Sequence, residues 1–162
     1  MKIKYLNYTW NDFEKDCTHL TEILDGIKEP MYFVGIHRGG LPLAVKLSNH
    51  YNSKMGILKY QSYGEGADKL FSFTDFYPDL GDTIVIVDDI VDTGKTFNII
   101  SEQLKMIEKY NFEAVYISIY RHQNYVSYNG IKLYSCREKC NEWVVFPWEN
   151  IKSPIKPIEI QE

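Results

Sequence analysis

Residues 83–96 read TIVIVDDIVDTGKT. Thr83–Val87 is a continuous β-branched run, the mark of a strand buried on both faces of a parallel sheet. It leads straight into Asp88, Asp89 and Asp92 and then into Thr93-Gly94-Lys95-Thr96, which opens a helix running to about Tyr110 with Ile99, Leu104 and Ile107 on one face. Open α/β sheets place ligands at the carboxyl ends of their strands. The unpaired N–H groups and positive end of a helix N-terminus suit a phosphate, Gly94 permits close approach, and the threonine hydroxyls add donors. Three carboxylates in five residues repel a bare phosphate. The conflict disappears if they face sugar hydroxyls or a hard cation bridging to the ligand. A P-loop does not fit, because G-x4-G-K-[ST] needs glycine where Asp89 stands. Capping accounts for one aspartate here, not for three in this order.

Working outward, Met31–Ile36 is a short apolar run followed by His37-Arg38-Gly39-Gly40 and a helical pattern through Leu43, Leu47 and Tyr51. Upstream, Phe13, Cys17, Leu20, Ile23, Leu24 and Ile27 recur at helical spacing after an N-cap at Asn11 or Asp12, ending near Asp25-Gly26. Met55–Tyr60 and Ala114–Tyr120 read as further strands. Between Gln61 and Leu80, Gly64, Gly66, Asp68, Asp75, Pro78 and Asp79 break any period, which predicts a long polar connection of the kind usually functional or mobile. Asn129-Gly130 predicts a hairpin turn, and an aromatic segment, EWVVFPWEN (142–150), precedes a Pro-containing tail. Strands alternating with helices predict an α/β fold, a central parallel sheet flanked by helices with right-handed crossovers.

The 162 residues suffice for a single domain, 1–162. A formal charge of −4 gives no sequence-independent attraction to nucleic acid. No stretch approaches the ~20 apolar residues of a membrane span, and the first residues lack a secretory apolar run. Cys17, Cys136 and Cys140 have no zinc spacing and read as reduced thiols. His19, His50 and His122 have no ligand spacing and read as surface or helix residues. The expectation is a cytoplasmic protein with no nucleic-acid or membrane partner.

VDDIVDTGKT resembles the motif by which type I phosphoribosyltransferases bind phosphoribosyl pyrophosphate (PRPP). GIHRGGLPLA resembles the pyrophosphate loop, usually S-R-G-G, of the xanthine-guanine and hypoxanthine enzymes, and NEWVVFPWEN resembles the purine-binding end of the bacterial xanthine-guanine type. The resemblance spans roughly residues 31 to 150. It implies a type I phosphoribosyltransferase-like fold with a core of about 11–120, a mobile catalytic loop of about 61–80, and a small C-terminal hood of about 121–162 joined by the N-terminal segment. It also implies transfer of 5-phosphoribose from PRPP to a 6-oxopurine (guanine, xanthine or hypoxanthine) with Mg2+, in purine salvage, by a homo-oligomer, dimer or tetramer.

Residue by residue, the resemblance gives Asp88 and Asp89 the ribose hydroxyls, with Asp89 toward the metal. Asp92 becomes the proton acceptor at the imidazole edge of the base, and Thr93, Gly94, Lys95 and Thr96 wrap the 5′-phosphate. Arg38 with the Gly39 and Gly40 amides stabilises the pyrophosphate leaving group, helped by Ser62 and Tyr63 of the loop. In this family the peptide corresponding to His37–Arg38 is often cis, although His37 replaces the usual serine. Trp143 stacks on the base, the Val144 backbone meets its N–H groups, and Arg121 stands where relatives carry the lysine that binds the 6-oxo group. Glu149 is a further candidate for the metal–pyrophosphate region. Two alternatives stay open: another base, or a PRPP- or nucleotide-sensing regulator on the same fold.

Overall fold

The computed structural model describes residues 3–61, 70–106, 113–126 and 131–149. In chain order the elements are β1 (Tyr5–Asn7), α1 (Trp10–Leu24), β2 (Met31–Ile36), α2 (Leu41–His50), β3 (Met55–Gln61), β4 (Leu70–Thr74), β5 (Thr83–Val91), α3 (Lys95–Met106), β6 (Glu113–His122), β7 (Leu133–Lys139) and β8 (Trp143–Val145). The main sheet has the order β4-β3-β2-β5-β6-β7, parallel except where β4 pairs with β3.

The β-branched run sits where its composition requires. β5 lies between β2 and β6, Thr83 to Val87 are buried, and β2 is buried along its whole length. One face of the sheet packs on α1 and α2 through Leu20, Leu24, Leu43 and Leu47, the other on α3 through Phe97, Ile100 and Leu104. Burial of both faces is the condition under which an apolar strand is stable without alternation.

The N-cap of α1 lies two or three residues before the expected Asn11 or Asp12. Thr9 is the N-cap, its hydroxyl accepting from the Asp12 amide at 3.1 Å while the Asp12 carboxylate accepts from the Thr9 amide at 3.0 Å. Asp12 is therefore the far half of a capping box. The segment 61–80 also differs from a featureless connection. Residues 70–74 form β4 in antiparallel register with β3, Ile57 opposite Thr74. The turn at Asn129-Gly130 lies outside the described residues, and the strands on either side of it are no hairpin. β7 runs parallel to β6, with Leu133 level with Tyr116. An Asn-Gly signal marks a local turn and does not fix the direction of the next strand.

A two-stranded parallel sheet of β1 and β8 forms the hood. It is held to α1 by aromatic packing. Phe146 stacks on Trp148 at 4.6 Å, and Trp148 meets Phe13 edge-on at 5.5 Å. Beside it, Arg137 of β7 donates to Asp16 at 2.7 Å and to Asp12 at 3.2 Å, lies over the Tyr8 ring at 5.3 Å, and Tyr8 donates to Asp16 at 2.7 Å. Burial and the Asp16 hydrogen bond hold the Tyr8 phenol protonated far above its usual range. Burial likewise raises the Cys17 and Cys136 thiols to about 12, so both are inert at neutral pH. Arg137→Met leaves the Asp16 carboxylate and the Tyr8 phenol without their cation. Urea unfolding should register a loss of about 2–3 kcal/mol, less than for a fully buried pair. A loss under ~0.5 kcal/mol would class the contact with surface ion pairs.

Candidate active site at the carboxyl end of the central strand

Asp88 and Asp89 occupy the last part of β5, each carboxylate accepting the next backbone amide: Asp89 N–H to Asp88 at 2.9 Å and Ile90 N–H to Asp89 at 2.8 Å. No lysine or arginine among the described residues pairs with either. Burial, then the neighbouring Asp89 charge, drives the Asp88 carboxyl well above the usual carboxylate range. Burial raises Asp89 too, and the Glu149 carboxylate, reaching in from the hood, adds to it. Glu149 itself accepts from the Phe146 amide at 3.1 Å.

The loop after β2 closes over this pair. The His37–Arg38 peptide is cis. A side chain at Gly39 would collide with the Asp89 carboxylate, and one at Gly40 with the Val87 carbonyl, so both positions exclude a Cβ. The Gly40 amide is not free for an anion, because it donates to the Ile36 carbonyl at 2.9 Å. Gly40 is thus a close-packing residue, which corrects its assignment as a pyrophosphate donor. Arg38 is exposed and lines a shallow groove with Trp10, Leu41, Pro42 and Trp148 on the α1–α2 side.

Beyond Val91 the chain turns into α3. Gly94 has φ +77°, a left-handed conformation suited to glycine, and a Cβ there would strike the Tyr125 ring. The helix ladder begins with Asn98 N–H to the Gly94 carbonyl at 3.0 Å, so the preceding amides have no acceptor within the helix. They border a cavity of about 360 Å³ walled by Asp88, Asp92, Thr93, Gly94, Lys95 and Thr96. A second cavity, about 750 Å³, shares Asp92 and Thr93 and continues to His122, Lys139 and Trp143. The two cavities adjoin at these shared residues. Trp143 is 46% exposed, so it is not a core aromatic. The β1–β8 ladder engages Trp143 N–H and the Val145 carbonyl, with the Lys4 carbonyl and Tyr8 N–H as partners. The backbone groups of Val144 therefore point away from β1.

Arg121 is not part of this cavity. It pairs with Glu138, its cross-strand neighbour. Side-chain alternation breaks near the carboxyl ends of β5, β6 and β7 together. Val87 and Ile90 pack on the α1 face, as do Ile119 and Tyr120, and Cys136 and Arg137 both contact Asp16. The break turns Arg121 and Glu138 away and brings His122 and Lys139 to the cavity. Lys139 Nζ lies 2.8 Å from Asp92 Oδ1, its side chain 11% exposed. No sequence reading singled out Lys139; His122, read from the sequence as a surface or helix residue, is partly exposed at the end of β6 on the cavity wall. Ser62 and Tyr63 lie outside the described residues.

The model of the phosphoribosyl transferase domain matches residues 8–149. The chain belongs to this family. Among solved structures, the phosphoribosyltransferase fold recurs in a purine phosphoribosyltransferase from Pyrococcus horikoshii (26% identity, 96% of this chain and 100% of that one, TM-score 0.77). It recurs in the Helicobacter pylori xanthine-guanine-hypoxanthine phosphoribosyltransferase (23%, 90% and 94%, TM-score 0.70) and in a Neisseria gonorrhoeae protein with bound ppGpp (19%, 93% and 92%, TM-score 0.72). Membership places the chain among PRPP-dependent transferases, and its type I architecture is that of the central sheet and hood described above.

The partly buried acidic pair has a testable cost. Because the Asp88 carboxyl is raised in the folded chain, the ligand-free protein is stabilised below the ordinary aspartate range and loses that stability as pH rises through the raised value. Asp88→Asn removes the loss. Thermal denaturation should find the variant's Tm above the native one at neutral pH, with the gap closing near pH ~4; a gap constant with pH would contradict the assigned burial effect.

Proposed function

We propose that the protein transfers 5-phosphoribose from PRPP to a 6-oxopurine, with Mg2+, releasing pyrophosphate and forming the nucleoside monophosphate, in cytoplasmic purine salvage. The observation that carries this is the two adjoining cavities, with a phosphate-sized end at the start of α3 and an aromatic, Asp92-bearing end under the hood.

The residues fit a hard cation. Asp88 and Asp89 are partly buried carboxylates with no cationic side chain paired to them among the described residues. No group of three or more potential ligands clusters among the described residues; magnesium fills its shell largely with waters and substrate oxygens. Asp89, beneath Gly39, would hold it, with Glu149 nearby, and bound magnesium supplies charge neutralisation at the pyrophosphate. Asp88 would accept from the ribose hydroxyls. Thr93, Gly94, Lys95 and Thr96 would bind the 5′-phosphate through the amides at the α3 N-terminus and the threonine hydroxyls. Arg38 and the Gly39 amide would meet the leaving pyrophosphate, with Ser62 and Tyr63 covering it and excluding water. Asp92, 64% exposed, would take the imidazole proton as the bond to the sugar forms. Trp143 would stack on the ring and the Val144 backbone would meet its N–H groups.

The competing regulator has one observation in its favour, the ppGpp bound to the Neisseria protein of the same fold. Pyrophosphate release from PRPP and magnesium with guanine, xanthine, hypoxanthine and adenine in parallel separates the two. The enzyme releases it with at least one 6-oxopurine, and Asp92→Asn slows that turnover at least ~100-fold with the fold intact. Nucleotide binding without pyrophosphate release from any base would establish the regulator instead.

A further inference from the structure

Lys139 is a nearly buried cation outside every matched motif, and its carboxylate partner is Asp92, the group that faces the base in the reading above. We infer that Lys139, rather than Arg121, selects the 6-oxo group, the Asp92–Lys139 pair forming a matched acceptor and donor for one edge of the base. This inference rests on that reading and adds the residue that discriminates within it.

Three observations carry it. The break in alternation across β5, β6 and β7 brings Lys139 to the cavity wall that also holds Asp92 and Trp143, while Arg121 is engaged by Glu138. Ile3, Val126 and Trp143, all exposed apolar side chains, give the same cavity hydrophobic surface fit for a flat ring. At 2.8 Å Lys139 and Asp92 share one contact and each keeps further hydrogen-bonding capacity, so one base edge can engage both groups at once. An edge with a ring N–H beside a carbonyl does so, the N–H donating to Asp92 and the carbonyl accepting from Lys139. A 6-oxopurine presents that edge through N7–H and O6. A 6-aminopurine places an N–H2 donor against the nearly buried ammonium, donor facing donor, the kind of mismatch a polar site rejects strongly.

Inosine and adenosine 5′-monophosphates share an unprotonated N7 and differ in the oxo or amino group at C6, with the N1 proton that accompanies the oxo form, so comparing them reads the Lys139 contact alone, and their binding is measurable by calorimetry without turnover. The native protein should prefer the inosine nucleotide. Lys139→Met, which keeps the apolar stem, should weaken the inosine nucleotide by roughly ten- to a hundredfold, the worth of one charged hydrogen bond, and change the adenosine nucleotide by less than about threefold. Lys139→Arg should retain part of the preference, separating loss of the donor from damage to the fold. A native preference that survives in Lys139→Met, or disappears in Arg121→Met instead, would overturn the assignment while leaving the phosphoribosyltransferase reading standing. A native protein that binds neither nucleotide would overturn both.

Discussion

Two adjacent carboxylates set into the end of a buried strand, with no cationic side chain paired to them among the described residues, are the constraint around which the molecule is arranged. Left alone, Asp88 and Asp89 repel each other and resist ionisation. The fold tolerates this because β5 lies between two parallel neighbours, and its first residues bury enough apolar surface to hold the strand in place. Around the pair, glycine is required wherever backbone must pass. Gly39 lies against the Asp89 carboxylate, Gly40 against the Val87 carbonyl, and Gly94 lets the chain turn into α3 beneath Tyr125. Under the proposed function, this concentration of negative charge is completed by a cation bound with the ligand.

The second organising feature is the coordinated loss of alternation in β5, β6 and β7. It decides which side chains the sheet delivers to the larger cavity, exchanging Arg121 and Glu138 for His122 and Lys139. It also brings Arg137 beneath α1, where its bonds to Asp16 and Asp12 tie the sheet to the helix that carries the hood aromatics. The larger cavity and the hood attachment thus depend on the same local departure from a regular pleat.

Much of this was legible in the chain. The run Thr83–Val87 fixed the central strand, Met31–Ile36 its neighbour, and D-T-G-K-T the helix start, because long apolar runs and helix-opening residues act locally. The cis His37–Arg38 peptide came from resemblance alone. Features set by non-local geometry were not legible. β4 is a strand only because β3 offers it an edge, and no dipeptide specifies the parallel direction of β7. The Gly40 amide is used up by a carbonyl four residues back. Arg121 was placed by its offset from a motif, an argument that assumes unbroken alternation in β6; Lys139 became visible only when Asp92 was found beside it.

If the acidic pair is the organising constraint, PRPP binding must depend on a divalent cation, since without one the phosphates approach three carboxylates. Calorimetric titration of PRPP into the protein, with magnesium and with a chelator, tests this directly. The account predicts one PRPP per chain with magnesium and an affinity at least ~tenfold weaker in chelator. Equal affinity under both conditions, or no binding under either, would contradict it.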